Sequence, residues 1–266
     1  MRIAAVQTIP RFGEVEANLA AARALVLSQE ARLYVLPEVF ATGYLFRDRA
    51  EAAAFAEEYP DGRVGRFLAR LSRETAAVIA AGFVERAADG GVYNAGALFD
   101  RGKPLACYRK IQLFDRERLW CDPGDRPPRA HASSAGVLGP LICFDWIYPE
   151  ITRCLALAGA QILVHMTNLV LPFCQDAMVT RCIENRVFAV TANRAGLETR
   201  DGMELRFTGR SQITGPDGAR LAQASSDREE VIVADIDPLR ADDKRLNARN
   251  DLLRDRRPGL YGRLVE

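Results

Sequence analysis

Six cysteines, two histidines and three lysines are the side chains from which this 266-residue chain could build a nucleophilic site. Cys107, Cys121, Cys143, Cys154, Cys174 and Cys182 are scattered, with no CxxC pair and no histidine cluster, so neither zinc nor a disulfide framework is expected. Most of them read as small, reduced core residues. Cys143 differs in its setting. Val137 to Ile142 is a short apolar strand, and apolar residues recur at helical spacing from Ile151 to Ala160. A cysteine at that junction occupies a sharp strand-to-helix turn, a nucleophile elbow in which the following backbone N–H groups face a developing oxyanion. Cys143 is therefore expected to be the first thiol alkylated.

A thiol near its ordinary pKa of about 8.5 is mostly protonated at neutral pH and needs a base or a cation beside it. His131 lies in a loop rich in Pro, Ser and Ala, and His165 lies inside the apolar strand Ile162-Leu-Val-His-Met; both read as structural, which disfavours a Cys-His pair. A carboxylate at a buried strand end does the same work, because desolvation raises its pKa. Glu38, just past the buried strand Ala31 to Leu36, is either such a base or a solvated loop glutamate. Lys110 is either a cation beside the thiolate or a surface lysine; only three of the 36 basic residues are lysines, and Tyr108, Ile111 and Leu113 flank it. Glu117, between Arg116 and Arg118, reads equally well as a surface charge.

Taken together and in order, Leu36-Pro-Glu38, Tyr108-Arg-Lys110 and Ile142-Cys-Phe-Asp145 followed by Pro149-Glu150 resemble the nitrilase superfamily of carbon-nitrogen hydrolases, over nearly the whole chain. The resemblance implies a four-layer alpha-beta-beta-alpha sandwich. It makes Glu38 the base, Lys110 the cation, Cys143 the nucleophile, and Glu117 a further carboxylate that positions Lys110 or accepts a hydrogen bond from the substrate. The implied reaction takes a small aliphatic amide to a carboxylic acid and ammonia through a thioester, with no metal or organic cofactor. Hydrolysis of an aliphatic nitrile or dinitrile uses the same residues. A catalytically silent small-molecule binding or thiol-sensing protein is the reading from a different class. Ile147 stands where many amidase-branch members carry Arg. Glu184, in Arg181-Cys-Ile-Glu-Asn-Arg186, reads as a buried structural carboxylate. Residues expected to reach the cleft are Phe40, Tyr44, Trp120, the Phe144 backbone, Trp146 and Asn168 with the segment to Phe173.

The elements that must position these groups alternate between strand and helix, which implies a layered α/β architecture. Strands are expected at Arg2 to Gln7, Ala31 to Leu36, Ala76 to Glu85, Val92 to Phe99, Pro104 to Lys110, Val137 to Ile142, Gln161 to Met166, Val187 to Ala192 and Glu229 to Ile236. A hairpin is expected to join Phe207 to Thr214 with Ala219 to Ala224 across Gly215-Pro-Asp-Gly218. Helices are expected at Glu14 to Ser28, Gly62 to Thr75, Tyr148 to Ala158, Pro172 to Glu184 and, capped by Asp237, Pro238 to Asn247. One domain over residues 1–249 is expected, with a charged tail, 250–266, packing on a partner subunit in a homodimer or larger homo-oligomer. A net charge of +1 supplies no electrostatic support for nucleic acid or lipid partners. No charged leader with an apolar core precedes Arg2, and no apolar run is long enough to span a bilayer, so a cytoplasmic protein is expected.

Overall fold

The computed structural model describes residues 1–265, and alternation along its first strand sets the layering. In β1 (Arg2–Gln7), Ile3 and Ala5 point into one core while Ala4 and Val6 point into another, the period of two that a strand imposes. The second core lies under α1 (Val15–Leu27) and, after β2 (Leu33–Val35) and the short helix α2 (Arg49–Phe55), under α3 (Arg63–Glu74). The strands β3 (Val78–Arg86), β4 (Val92–Asp100) and β5 (Lys103–Arg109) complete this half. In the other half, β6 (His131–Ser133) and β7 (Gly136–Ile142) precede α4 (Pro149–Leu157), β8 (Ile162–Thr167), α5 (Cys174–Asn185) and β9 (Phe188–Asn193). The chain continues through β10 (Ala195–Arg200), β11 (Met203–Thr208), β12 (Gln212–Thr214), β13 (Arg220–Gln223) and β14 (Glu230–Asp235).

Two six-stranded sheets result, in the orders β14-β1-β2-β3-β4-β5 and β6-β7-β8-β9-β12-β13. Each has three parallel central strands, β1-β2-β3 and β7-β8-β9, with antiparallel neighbours on both sides. The inner faces of the two sheets share the core that holds Ile3, Leu33, Val78, Ile142 and Val164, with α1 and α3 outside the first sheet and α4 and α5 outside the second. This is the four-layer α-β-β-α sandwich that the resemblance implies. Because the central strands run parallel, their carboxyl ends open at one edge of each sheet, where α/β folds place their ligands.

Four segments fold differently from the sequence reading. Phe207 to Thr214 is not one strand: Gly209 and Arg210 take positive φ values of 56° and 55° and divert the chain, so β11 pairs with β10 while β12 pairs with β9. Pro238 to Asn247 forms only a 3-10 turn, Pro238–Ala241, although Asp237 does cap it by accepting from the Leu239 N–H. Residues 242–247 offer no apolar stripe for a helix to bury; instead the Lys244 ammonium donates to the carbonyls of Asn185 and Arg186. Helix α2 and the β10–β11 hairpin were not expected. In the tail, Pro258–Leu260 and Gly262–Val265 are 3-10 turns with Leu260, Tyr261 and Leu264 exposed; Glu266 lies outside the described residues.

One close approach fixes the segment that follows β2. A Cβ on Gly82 would sit 2.5 Å from the Glu38 Cα, and Gly82 also donates to the Pro37 carbonyl at 3.0 Å. Gly82→Ala should therefore push Glu38 out of place, and overpacking of this kind costs about 1–3 kcal/mol. Thermal denaturation is expected to show a lower Tm for Gly82→Ala, whereas Gly259→Ala, made in open space and without a positive φ, should leave Tm nearly unchanged.

Candidate active site

Glu38, Lys110, Glu117 and Cys143 come from four different segments and meet between the sheets. Glu38 follows β2, Lys110 follows β5, Glu117 lies in the 3-10 turn Asp115–Leu119, and Cys143 begins the 3-10 turn Cys143–Ile147 at the end of β7. Glu38 and Lys110 are 0% exposed, Glu117 1% and Cys143 5%. The Lys110 ammonium donates to Oε1 of Glu38 at 2.8 Å and to Oε1 of Glu117 at 2.6 Å. An ammonium has three N–H groups, so one remains for another acceptor.

Burial penalises the Lys110 cation, but the two adjacent carboxylates outweigh it and hold its pKa well above the ordinary value. Burial pushes Glu117 up to about 7; Lys110 opposes that shift and Glu38 adds to it. Glu117 also accepts from the Tyr44 hydroxyl at 2.8 Å and, through Oε2, from the Phe114 N–H at 2.8 Å. Glu38 is less fully engaged. Its Oε1 takes Lys110 and the Asn94 side chain, the latter at 2.7 Å, while its buried Oε2 has no hydrogen-bond partner. A buried carboxylate oxygen without a donor is costly, and a nearby protic group is what would satisfy it.

Cys143 supplies a thiol. Burial, reinforced by the charge of Glu38, raises its pKa well above the ordinary value; Lys110 and the backbone N–H of Asn168 pull the other way without prevailing. The surroundings therefore favour the protonated sulfur. Its backbone is strained, with φ at +40°, and two side chains hold that conformation. Asp145 accepts from the Ile142 N–H at 3.0 Å, from the Gln112 N–H at 3.0 Å and from the Tyr108 hydroxyl at 2.7 Å. His165 bonds the Cys143 carbonyl at 3.0 Å through Nε2 and the Thr191 hydroxyl at 3.2 Å through Nδ1. A carbonyl only accepts, so Nε2 carries the proton and Nδ1 accepts from Thr191.

The other expected residues divide. Trp146, Asn168 and Phe144 line the cleft at Cys143 with Phe114 and Leu169 to Leu171. Asn168 also donates its side-chain amide to the Glu38 carbonyl at 2.9 Å. Tyr44 reaches the cluster through Glu117, and Trp120 packs on Phe46, ring centroids 4.9 Å apart, beside a neighbouring chamber. Phe40 faces the other way: it is 1% exposed and packs near Phe67 in the core under α1 and α3, because the chain reverses at Val39 with φ at +39°. Glu184 is half-buried rather than buried and accepts from Arg181 at 3.0 Å. Ile147 is 41% exposed and contributes only its carbonyl, to Arg181. Cys154 is the exposed thiol, while Cys143 is buried. Sequence reasoning gave no role to Asn94, Tyr108, Asp145 or the backbone contact of His165. Asp145 carried a signal in its place two residues after the cysteine; the others are joined only by folding.

A buried carboxylate–ammonium–carboxylate cluster beside a strained, buried thiol is the equipment of a covalent hydrolase. The carbon-nitrogen hydrolase family profile matches residues 2–245, and the chain belongs to that family. It is 40% identical over 267 residues to a nitrilase from Pyrococcus abyssi, with 99% of this chain and 100% of that protein covered. Its fold matches the carbon-nitrogen hydrolase of Helicobacter pylori G27 with a TM-score of 0.91 at 25% identity, covering 100% of this chain and 98% of that one. It matches an amidase from Nesterenkonia sp. AN1, whose mutant structure shows Michael addition of acrylamide at the active site cysteine, with a TM-score of 0.82 at 26% identity and full coverage of both chains.

The buried imidazole makes a pH-dependent claim on stability. Burial holds the His165 pKa at about 4, below the ordinary 6.5. Below pH 6.5 the unfolded chain takes a proton that the folded chain refuses, so this contribution is whole above 6.5 and is lost as pH falls toward 4. The full loss is about 3 kcal/mol. Denaturant unfolding across that range should show a steeper fall in stability on acidification for the wild type than for His165→Gln; parallel curves would contradict the assignment.

Proposed function

We propose that this protein hydrolyses small aliphatic amides to a carboxylic acid and ammonia through a thioester on Cys143. The observation that carries the reading is the unpartnered Oε2 of Glu38, a buried acceptor in a cluster whose other carboxylate oxygens are taken. A thiol held protonated by its surroundings needs such a base at the moment of attack. Glu38 takes the thiol proton as sulfur adds to the amide carbon. The remaining Lys110 N–H and the Phe144 backbone N–H stabilise the oxyanion. Glu38 returns the proton to nitrogen, ammonia departs, and water deprotonated by the same carboxylate cleaves the thioester. Glu117 and Asn94 hold Lys110 and Glu38 in register.

Nitrile hydrolysis is the second reading, favoured by the 40% identical relative that bears the name nitrilase. The same thiol would add to a nitrile carbon, and the same residues would carry the product to the acid. A thiol sensor is disfavoured by the site itself, since sensing cysteines are exposed and of low pKa, whereas this one is 5% exposed with its pKa raised. Localisation to the cytoplasm stays an expectation; among the described residues no helix is long and apolar enough to cross a membrane.

We also infer that residues 1–249 act as one catalytic domain and that two copies pair through α4 and α5. Leu157 on α4 and Tyr261 and Leu264 of the tail are exposed apolar side chains that line one groove with Glu184 of α5, a face that a second copy would cover. Sedimentation at micromolar concentration is expected to give a species of at least twice 29.4 kDa; a monomer alone would sink the pairing.

Ammonia release over a panel of short amides, nitriles and dinitriles tests the chemistry. Amides are expected to be turned over faster than the matching nitriles, and the reverse order would select the second reading. Cys143→Ala should abolish release with the fold intact. Glu38→Gln keeps the shape but cannot accept the proton, so acylation should fall about a hundredfold or more. Lys110→Arg keeps the charge but replaces a compact ammonium with a planar fork, and a loss of similar size is expected. Full activity in Lys110→Arg would show that charge alone suffices.

A further inference from the structure

The cleft beside Cys143 has a free volume of ≈ 10 Å³, room for about one water molecule and for no amide. Substrate entry must therefore displace a wall. Of the side chains that line the cleft, Phe114 also lines a second cavity of ≈ 270 Å³, close to the lower bound for small-molecule sites. That chamber is walled by Tyr44, Phe46, Phe114, Trp120, Met203 and Leu205, and its mouth carries Asp115, Arg116 and Glu204. It abuts the reacting groups, because Tyr44 donates to Glu117 and the Phe114 N–H is bonded to the same carboxylate. Val170, from the cleft, packs against the apolar cluster that includes Tyr44, Phe46 and Trp120. Asp115, next to Phe114, is strained at a φ of +44°. The Phe114 ring is thus a partition held at a strained turn, with the nucleophile on one side and an apolar void on the other.

We propose that the chamber behind Phe114 is the subsite for the substrate's acyl chain, entered when the Phe114 ring swings aside, and that Phe114, Met203 and Leu205 set chain-length specificity. The inference rests on the amide hydrolase reading. A primary amide loses ammonia, so any extension of the substrate beyond the reacting carbon belongs to the acyl side. The lining calls for an unbranched apolar chain of several carbons, with a polar terminus tolerated at the charged mouth. The β10–β11 hairpin supplies Met203 and Leu205, which gives that hairpin a function.

The test follows straight-chain primary amides from acetamide to hexanamide in two ways: kcat/KM for ammonia release by the wild type, and calorimetric affinity for the Cys143→Ala protein. Both should rise along the series, by about tenfold or more overall, since each buried methylene adds to binding. Leu205→Asp and Met203→Asp, on the exposed hairpin, should each lower the hexanamide-to-acetamide ratio about tenfold or more, with unfolding curves checking that each variant folds. A flat or falling profile in both measurements, or variants that weaken every amide equally, would overturn the subsite. Affinity that rises with chain length without any ammonia release would leave the subsite standing and remove the hydrolase reading instead; release with a flat profile would do the opposite.

Discussion

Everything at the centre of this molecule depends on one buried ammonium shared by two carboxylates. Removing three charged groups from water is expensive, and mutual attraction repays it only when geometry is good and the remaining lone pairs are satisfied. Here Lys110 bridges Glu38 and Glu117 at 2.8 and 2.6 Å, and Asn94, Tyr44 and the Phe114 N–H occupy most of what is left. One oxygen, Oε2 of Glu38, is left out. The third Lys110 N–H and Oδ1 of Asn94 are the other groups of the cluster without a partner.

Around that cluster the backbone is held where it would not rest by itself. Val39 and Cys143 both have φ near +40°, a conformation that is disfavoured for a β-branched residue and uncommon for cysteine. The first follows the proposed base and the second is the proposed nucleophile. Gly82 lets the Glu38 backbone lie directly on β3, while Asp145 and His165 hold the cysteine turn through the Ile142 N–H and the Cys143 carbonyl. Gly124 plays a similar part for Lys110, since its N–H donates to the Lys110 carbonyl at 2.7 Å and a Cβ there would meet the Arg109 carbonyl oxygen. Such strain persists only when the surroundings over-determine it, which is why the supporting residues come from so many segments.

The central strands and the elbow at Cys143 are legible in the sequence because local pattern encodes them: apolar runs for β7, β8 and β9, helical spacing for α3 and α4. The four-layer sandwich comes only with the family resemblance, since alternation of strand and helix fits a three-layer fold equally well. Glu38 and Lys110 were legible only as motifs. Their burial and their ion pair span 72 positions in the chain, and composition favours an exposed reading for either residue alone. Phe40 was misplaced because a single positive φ at Val39 reverses which side of the sheet it faces. The β10–β11 hairpin is not legible because its exposed face breaks the alternation, and nothing local marks Gly209, whose φ of 56° ends a strand. Thr191 and Asn94 could not be joined to the site by any local signal, since strand pairing brings their partners: His165 on β8 lies opposite Thr191 on β9, and Glu38 follows β2 in the sheet that holds Asn94 on β4.

The central claim is that the resting site holds a thiol with a free carboxylate beside it, not a thiolate paired with Lys110. The ultraviolet absorbance of thiolate, taken as the difference between the wild type and Cys143→Ser, reads this directly and cancels the exposed Cys154. The account predicts no thiolate difference at neutral pH, with a signal arising only well above the ordinary thiol pKa. One equivalent of thiolate at neutral pH would contradict it.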